Sequence, residues 1–294
     1  MRKIYRWLII GLCLLLNTPL SADDNIKGVI AVVYPTELNP AKSKIVAEVV
    51  KGIQTVLPNL TVIAYDSDHP DLQARLDKIH PNRVIALSKQ ATTATQGTSY
   101  RDRLICGLYY FQANACPGVS LALDGNELLR TIAEILPKTK RLFLVYESSL
   151  AGVAVPKPDL RSSIDLENMP AEDTIGAINL LGNLIESTAH PVEDVVAIPP
   201  NLPEDIMFKV LASAWDKHIT LISTNLGHLE YGVFMANVPD PYGMGRQLGK
   251  LSLQPTLSWQ AALTSKPALN RLVARHLGFD FPVSGKDPFF LRIK

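Results

Sequence analysis

Short apolar runs alternate along the chain with segments of helical spacing, beginning near residue 27. The runs are apolar throughout rather than alternating with polar residues, which is typical of strands buried on both faces of a sheet. Strands followed by helices predict a parallel sheet with helices on both faces. In the first half we predict strands at residues 27–34, 60–65, 83–87 and 102–108, and helices at 41–56, 71–79 and 90–96.

The same order of elements returns in the second half, although no sequence repeat links the halves. This predicts a second α/β lobe, with helices at 126–136, 172–187 and 203–215 and strands at 141–146, 194–198, 219–223 and 232–238. The rhythm fails between residues 147 and 169, a proline-rich stretch without helical period. We expect an irregular connection there, with room for a short strand.

Two of the predicted helices carry an apolar stripe, the pattern of helices that pack one face against a sheet. The stripes consist of Ile45, Val46, Val49, Val50 and Ile53 in the helix at 41–56, and of Ile175, Ile178, Leu181 and Ile185 in the helix at 172–187.

The first 22 residues have the layout of a secretory signal peptide: a basic head, a short apolar run, and small residues at a cleavage site. The run is short for a membrane span, and an uncleaved anchor is the alternative. The whole chain has 29 basic and 28 acidic residues; three basic residues lie in this segment, which leaves 26 and 28 in the exported part. This near balance predicts no nucleic-acid partner.

Two of the three cysteines, Cys106 and Cys116, lie beyond the predicted signal peptide. In an exported protein such a pair predicts a disulfide, which would stiffen the segment LYYFQANA between them. Two free, buried thiols are the alternative. The spacing of the pair is not that of a metal site.

The sequence GMGRQLG at residues 243–249 is similar to a dinucleotide-binding loop, but Leu248 stands where the third glycine is required. We therefore predict a helix that Asp240 caps and Pro241 begins. Gly245 and Gly249 share one face, which would let this helix lie close against the sheet. No cofactor is predicted.

No catalytic pattern stands out. The chain has neither a G-x-S-x-G nucleophile elbow nor an H-E-x-x-H zinc motif, and its six histidines are spread along the sequence. A small hydrolase is an alternative that would need a nucleophile–base pair, and the sequence offers none. We predict a protein that is not an enzyme and holds no metal.

Hydroxyl, amide and aromatic side chains follow the predicted strands. Open α/β sheets bind ligands at the carboxyl ends of their strands, so these residues predict a site for a small polar molecule. The aromatic residues 109–111 would either contact a ligand or pack between lobes. The residues at strand ends include Thr36, Ser88, Gln90, Tyr110, Asn201, Ser223 and Thr224.

Four segments together resemble the substrate-binding proteins of ABC transporters with the type I periplasmic-binding fold, in the branch that includes tryptophan- and tyrosine-binding proteins. The resemblance covers about residues 27–283. It is carried by PNRVIALSKQATTAT, CPGVSLALDGNELLRTIAEILPKTKRLFLVY, ITLISTNLGHLEYGVFMANVPDPYGMGRQLGKL and LNRLVARHLGFDFP.

The resemblance implies two α/β lobes joined by a three-strand hinge: residues 23–117, completed by about 254–294, and residues 118–253. It implies a periplasmic protein that captures a small solute, such as an amino acid or another carboxylate, and presents it to a membrane permease. A sensory module for a membrane receptor is the alternative. The implied cleft residues are Thr36, Ser88, Gln90, Asn201, Ser223, Thr224 and Asp240, beside Tyr110, which stands where the family has an Asp-Pro-like turn.

Overall fold

The computed structural model describes residues 29–66, 71–148, 153–154, 163–281 and 287–293. The predicted signal peptide, residues 1–22, lies outside the described residues. Within the described ranges, no helix combines the length and the apolar character that crossing a membrane requires.

The described chain alternates strands and helices, with one 3-10 turn at Arg101–Arg103 and a π-helical turn at Leu184–Thr188. The strands are β1 (Ile30–Pro35), β2 (Thr61–Tyr65), β3 (Arg83–Leu87), β4 (Leu104–Gly107), β5 (Gly118–Asp124), β6 (Arg141–Glu147), β7 (Val153–Ala154), β8 (Asp165–Ala171), β9 (Asp194–Ala197), β10 (Thr220–Ser223), β11 (Met235–Pro239), β12 (Trp259–Ala262), β13 (Ser265–Asn270) and β14 (Leu291–Ile293). The helices are α1 (Pro40–Gln54), α2 (Leu72–Ile79), α3 (Lys89–Gln96), α4 (Gly125–Ile135), α5 (Thr174–Asn183), α6 (Glu204–Asp216), α7 (His228–Tyr231), α8 (Pro241–Ser252) and α9 (Arg271–His276).

The first sheet has the order β12-β5-β4-β3-β1-β2, and its strand pairs are parallel. Both of its faces are buried. Val32 and Ile85 pack with α1 and α8 on one face, whereas Ala31 and Val84 pack with α2 and α3 on the other. This two-sided burial explains the continuous apolar runs, and the predicted fold class is confirmed for this lobe.

The second sheet has the order β14-β13-β11-β10-β9-β6-β8. Its pairs are parallel except β11 with β13, which is antiparallel. Leu144 and Val195 pack beneath α4 on one face, and Phe143 and Val196 pack against α5 and α6 on the other. The predicted two-lobed α/β architecture is thereby confirmed.

The sheets place the lobe boundaries differently from the prediction. Strand β5 belongs to the first sheet, where Gly118 pairs with Cys106, so the first lobe continues beyond residue 117. Helix α8, predicted in the second lobe, packs against α1 of the first. Strands β13 and β14, predicted in the first lobe, extend the second sheet.

The connection predicted to be irregular contains a long strand. β8 pairs with β6 over its full length, from Asp165 opposite Arg141 to Ala171 opposite Glu147. Before it, the short strand β7 returns to the first sheet, where Val153 pairs with Leu123. The sequence of β8 shows no apolar run because β8 is an edge strand with mostly half-exposed residues.

Helix α8 begins as predicted: Asp240 caps it, with Gly243 N donating to Asp240 Oδ2 at 3.2 Å. The predicted packing partner of its glycines is wrong, because the neighbour is α1 rather than the sheet. A β-carbon on Gly245 would overlap the carbonyl of Val49, and one on Gly52 would overlap the carbonyl of Tyr242. The two helices therefore touch backbone to backbone.

Two members of the predicted apolar stripes do not face the core. Ile45 of α1 is 41% exposed and Ile175 of α5 is 68% exposed, whereas Val49 and Leu181 are fully buried. Ile45 lies on the wall of the cavity described next.

Candidate functional site

A cavity of about 830 Å³ lies between the two sheets, at the carboxyl ends of their strands. The first lobe contributes residues after β1, β3 and β4 together with one side of α1. The second lobe contributes the loops after β9 and β10 and the end of β11. The described wall consists of Pro35, Glu37, Leu38, Lys42, Ile45, Val46, Glu48, Leu87, Ser88, Gln90, Leu108, Tyr110, Leu121, Pro200, Thr224, Asn225, Leu226, Val238, Pro239, Asp240, Pro241, Met244, Lys266 and Phe290.

The structure brings five of the eight predicted cleft residues to this wall and leaves three away from it. Ser223 is 2% exposed and lies beneath the wall. Thr36 and Asn201 are not among the wall residues, although their neighbours are. The five on the wall are Ser88, Gln90, Tyr110, Thr224 and Asp240.

Ser88 joins β3 to α3 in an unusual backbone conformation, with φ at 142°. Its hydroxyl accepts a hydrogen bond from Ala91 N at 3.1 Å and so caps the helix. A residue other than glycine rarely adopts this φ, and such strain concentrates at functional positions. The strained turn aims the start of α3 at the cavity.

Tyr110 reaches across the cavity from the first lobe. Its hydroxyl lies 3.5 Å from Thr224 Oγ1 of the second lobe. Burial raises the pKa of Tyr110 above its usual value, so the hydroxyl remains protonated and can donate this bond. The contact is a direct link between the lobes at the wall of the site.

The segment that carries Tyr110 is closed by a disulfide between Cys106 and Cys116, whose Cα atoms are 6.1 Å apart. Within it, the rings of Tyr109 and Phe111 stack tilted at 4.8 Å. Trp259 Nε1 donates to the carbonyl of Phe111 at 3.0 Å. The loop is therefore tied to the first sheet at both ends and in its middle.

Ser223 and His228 form a hydrogen-bonded pair that the sequence analysis did not find. Ser223 Oγ lies 2.9 Å from His228 Nδ1 and also accepts from Asn225 N at 3.0 Å. Burial lowers the pKa of His228 to about 4, so its ring is neutral at pH 7. Both residues are buried, 2% and 4% exposed, which keeps substrate from the hydroxyl.

The geometry of this pair differs from that of a hydrolase. In the serine triad the histidine faces serine through Nε2, and a carboxylate orients Nδ1. Here Nδ1 faces Ser223. The pair instead fixes the loop after β10, which carries Thr224 and Asn225. Among the described residues, no cluster of three His, Cys, Asp or Glu side chains could hold a metal ion.

Asp240 stands where the chain passes from β11 to α8, between the lobes. Its Oδ1 lies 2.8 Å from Lys266 Nζ, and its backbone N donates to Thr264 O at 2.9 Å. Glu127 Oε1 accepts from Ser265 N at 3.1 Å. These contacts join three lobe connections: β5 to α4, β11 to α8, and β12 to β13.

Sequence reasoning missed most of the apolar wall, including Leu38, Ile45, Leu226, Met244 and Phe290. Apolar residues in a sequence are interpreted as core by default. The only signal for the wall was Ile45, which widens the apolar stripe of α1 by one position.

The sequence matches no family model, and no curated protein matches it. Three solved structures are similar in fold. They are CD0873, a substrate-binding protein with adhesive properties from Clostridium difficile (12% identity, TM-score 0.55, 91% of this chain and 99% of that one); a conserved domain protein from Vibrio cholerae (15%, 0.47, 90% and 99%); and an ABC domain in complex with L-Trp from Streptococcus pneumonia (16%, 0.48, 90% and 99%).

Of these three, CD0873 has a TM-score above 0.5, and the comparison of folds rests on it. It spans nearly the whole of both chains, so both lobes and their connections correspond. The chain therefore has the two-lobed fold of the type I periplasmic binding proteins.

Proposed function

We propose that this protein captures one small molecule between its two lobes and does not transform it. The observation that carries the proposal is the cavity of about 830 Å³ at the strand ends of both sheets. Its volume lies within the range of ligand pockets, roughly 300–1,000 Å³.

Ligand capture would be coupled to the arrangement of the lobes. A molecule that contacts both walls binds better when the walls are close, and so shifts the lobes toward that arrangement. The hydrogen-bond partners Tyr110 and Thr224 lie on opposite walls and would close around it. The connections near Asp240 would act as the hinge.

We propose further that the protein works in the periplasm after removal of the N-terminal segment and delivers its solute to the permease of an ABC transporter. The signal-peptide layout of residues 1–22 and the similarity to the substrate-binding protein CD0873 support this. Cross-linking in native membranes tests the partner: capture of a permease supports transport, and capture of a sensor kinase supports a signalling role instead.

Thermal unfolding of residues 23–294 with a panel of amino acids, sugars, carboxylates and neutral aromatic compounds tests the binding role. A ligand at a hundred times its Kd should stabilise the protein by about 2.7 kcal/mol. Tyr110→Ala should lose that gain, whereas Tyr231→Ala, a half-buried tyrosine on α7 outside the described wall, should keep it. A panel without any saturable stabilisation would count against the proposal.

A further inference from the structure

The described wall of the interlobe cavity is mainly apolar: more than half of its residues are aliphatic, phenylalanine or proline. Three of them are large side chains left open to solvent, Ile45 (41% exposed), Leu226 (37%) and Phe290 (49%). They come from α1, the loop after β10 and the segment before β14. Exposed apolar groups that converge on one cavity mark a surface that a ligand covers.

The charges on this wall balance. Asp240 is paired with Lys266 at 2.8 Å, and Glu48 lies 3.8 Å from Lys51 on the same helix. An ionic ligand would therefore meet no excess of opposite charge. The charged wall residues are of both signs: Glu37, Glu48, Asp240, Lys42 and Lys266.

Several polar groups of the wall are already bonded within the protein. Ser88 Oγ accepts from a backbone N–H, and Tyr110 meets Thr224. The Asn225 amide donates to a backbone carbonyl at 2.8 Å and accepts from a backbone N–H at 3.0 Å. A zwitterion or carboxylate entering the cavity would lose its water and gain few partners, which is unfavourable.

We infer that the cavity takes a predominantly apolar small molecule without net charge, larger than a free amino acid and carrying a few neutral hydrogen-bonding groups. The inference rests on the proposed function and narrows its ligand class. It replaces the expectation of an amino acid or other carboxylate. The volume of about 830 Å³ suits a drug-sized molecule.

N-phenyl-1-naphthylamine, a neutral apolar dye that fluoresces when shielded from water, is the probe. Residues 23–294 should bind it saturably, one molecule per chain. Ile45→Asp places a charge on the wall and should weaken binding at least tenfold. Ile175→Asp makes the same change at another exposed helical isoleucine, on α5, and should leave the affinity unchanged.

A second pair guards against misfolding of the Ile45 variant. Phe290→Ala should weaken dye binding, whereas Phe208→Ala, at an equally exposed phenylalanine of α6 (56% exposed), should not. Circular dichroism checks that all four variants are folded. Equal dye affinity in the wall variants and their controls would overturn the inference, because the dye would then bind elsewhere.

The outcome for the proposed function is separate. A charged or zwitterionic solute such as L-tryptophan that raises the melting temperature, while the dye does not bind, would overturn the inference and leave the binding function standing. Absence of saturable binding by both the dye and the whole solute panel would overturn both.

Discussion

Acidification should destabilise this protein through His228. The ring is 4% exposed, and burial lowers its pKa from 6.5 to about 4. In the native state it remains neutral, with Nδ1 positioned to accept from Ser223 Oγ at 2.9 Å. In the unfolded chain the same ring takes up a proton near pH 6.5.

The sign and size follow from linkage between protonation and folding. Above pH 6.5 the ring is neutral in both states and has no effect. Between pH 6.5 and about 4 the unfolded state binds a proton that the native state refuses, so stability falls as pH falls. Each unit is worth about 1.4 kcal/mol, which gives about 3 kcal/mol over the interval. Below pH 4 this contribution is constant.

Urea unfolding of the wild type and of His228→Gln, followed by circular dichroism at pH 7.5, 6, 5 and 4.5, measures the effect. Carboxylates titrate in both proteins and cancel in the difference between their pH profiles. The wild type should lose about 2–3 kcal/mol more than the variant between pH 7.5 and 4.5. Identical slopes would refute the assignment of a neutral buried ring.

Three further predictions concern stability and use the same unfolding measurement. Cys116→Ser opens a disulfide with a sequence separation of 10 and should cost about 3 kcal/mol, and reductant should then have no further effect; an unchanged midpoint would argue against the bridge. Gly245→Val should cost at least about 2 kcal/mol by forcing α8 from α1, whereas Gly182→Ala in α5, which meets no neighbour, should gain up to about 1 kcal/mol; equal effects would contradict the close approach. Arg141→Gln should cost about 3 kcal/mol because it strips a bidentate partner from Asp194, which is 1% exposed; a neutral outcome would mean that this carboxylate finds another partner.

The sequence predicts most of the fold because both faces of each sheet are buried. The runs that became β1, β3 and β6 lie within a few residues of their predicted bounds. The lobe boundary could not be predicted, since it depends on Gly118, whose φ of 152° and pairing with Cys106 place β5 in the first sheet. Only long-range contacts specify that placement.

The candidate site divides in the same way. Polar residues at strand ends, such as Ser88 and Thr224, could be predicted because parallel strands end at one edge. Exposed apolar residues such as Ile45 and Phe290 could not, since periodicity does not distinguish an apolar side chain in the core from one at a cavity. The His228 pair was missed because a short turn, rather than a motif, brings the ring to Ser223.

A crystal structure of residues 23–294 with a solute that raises the melting temperature tests the central claim most directly. The account predicts one molecule in the interlobe cavity, in contact with Tyr110 of the first lobe and Thr224 of the second. A solute bound outside the cavity, or lobes that pack together and leave no space between those two residues, would contradict it.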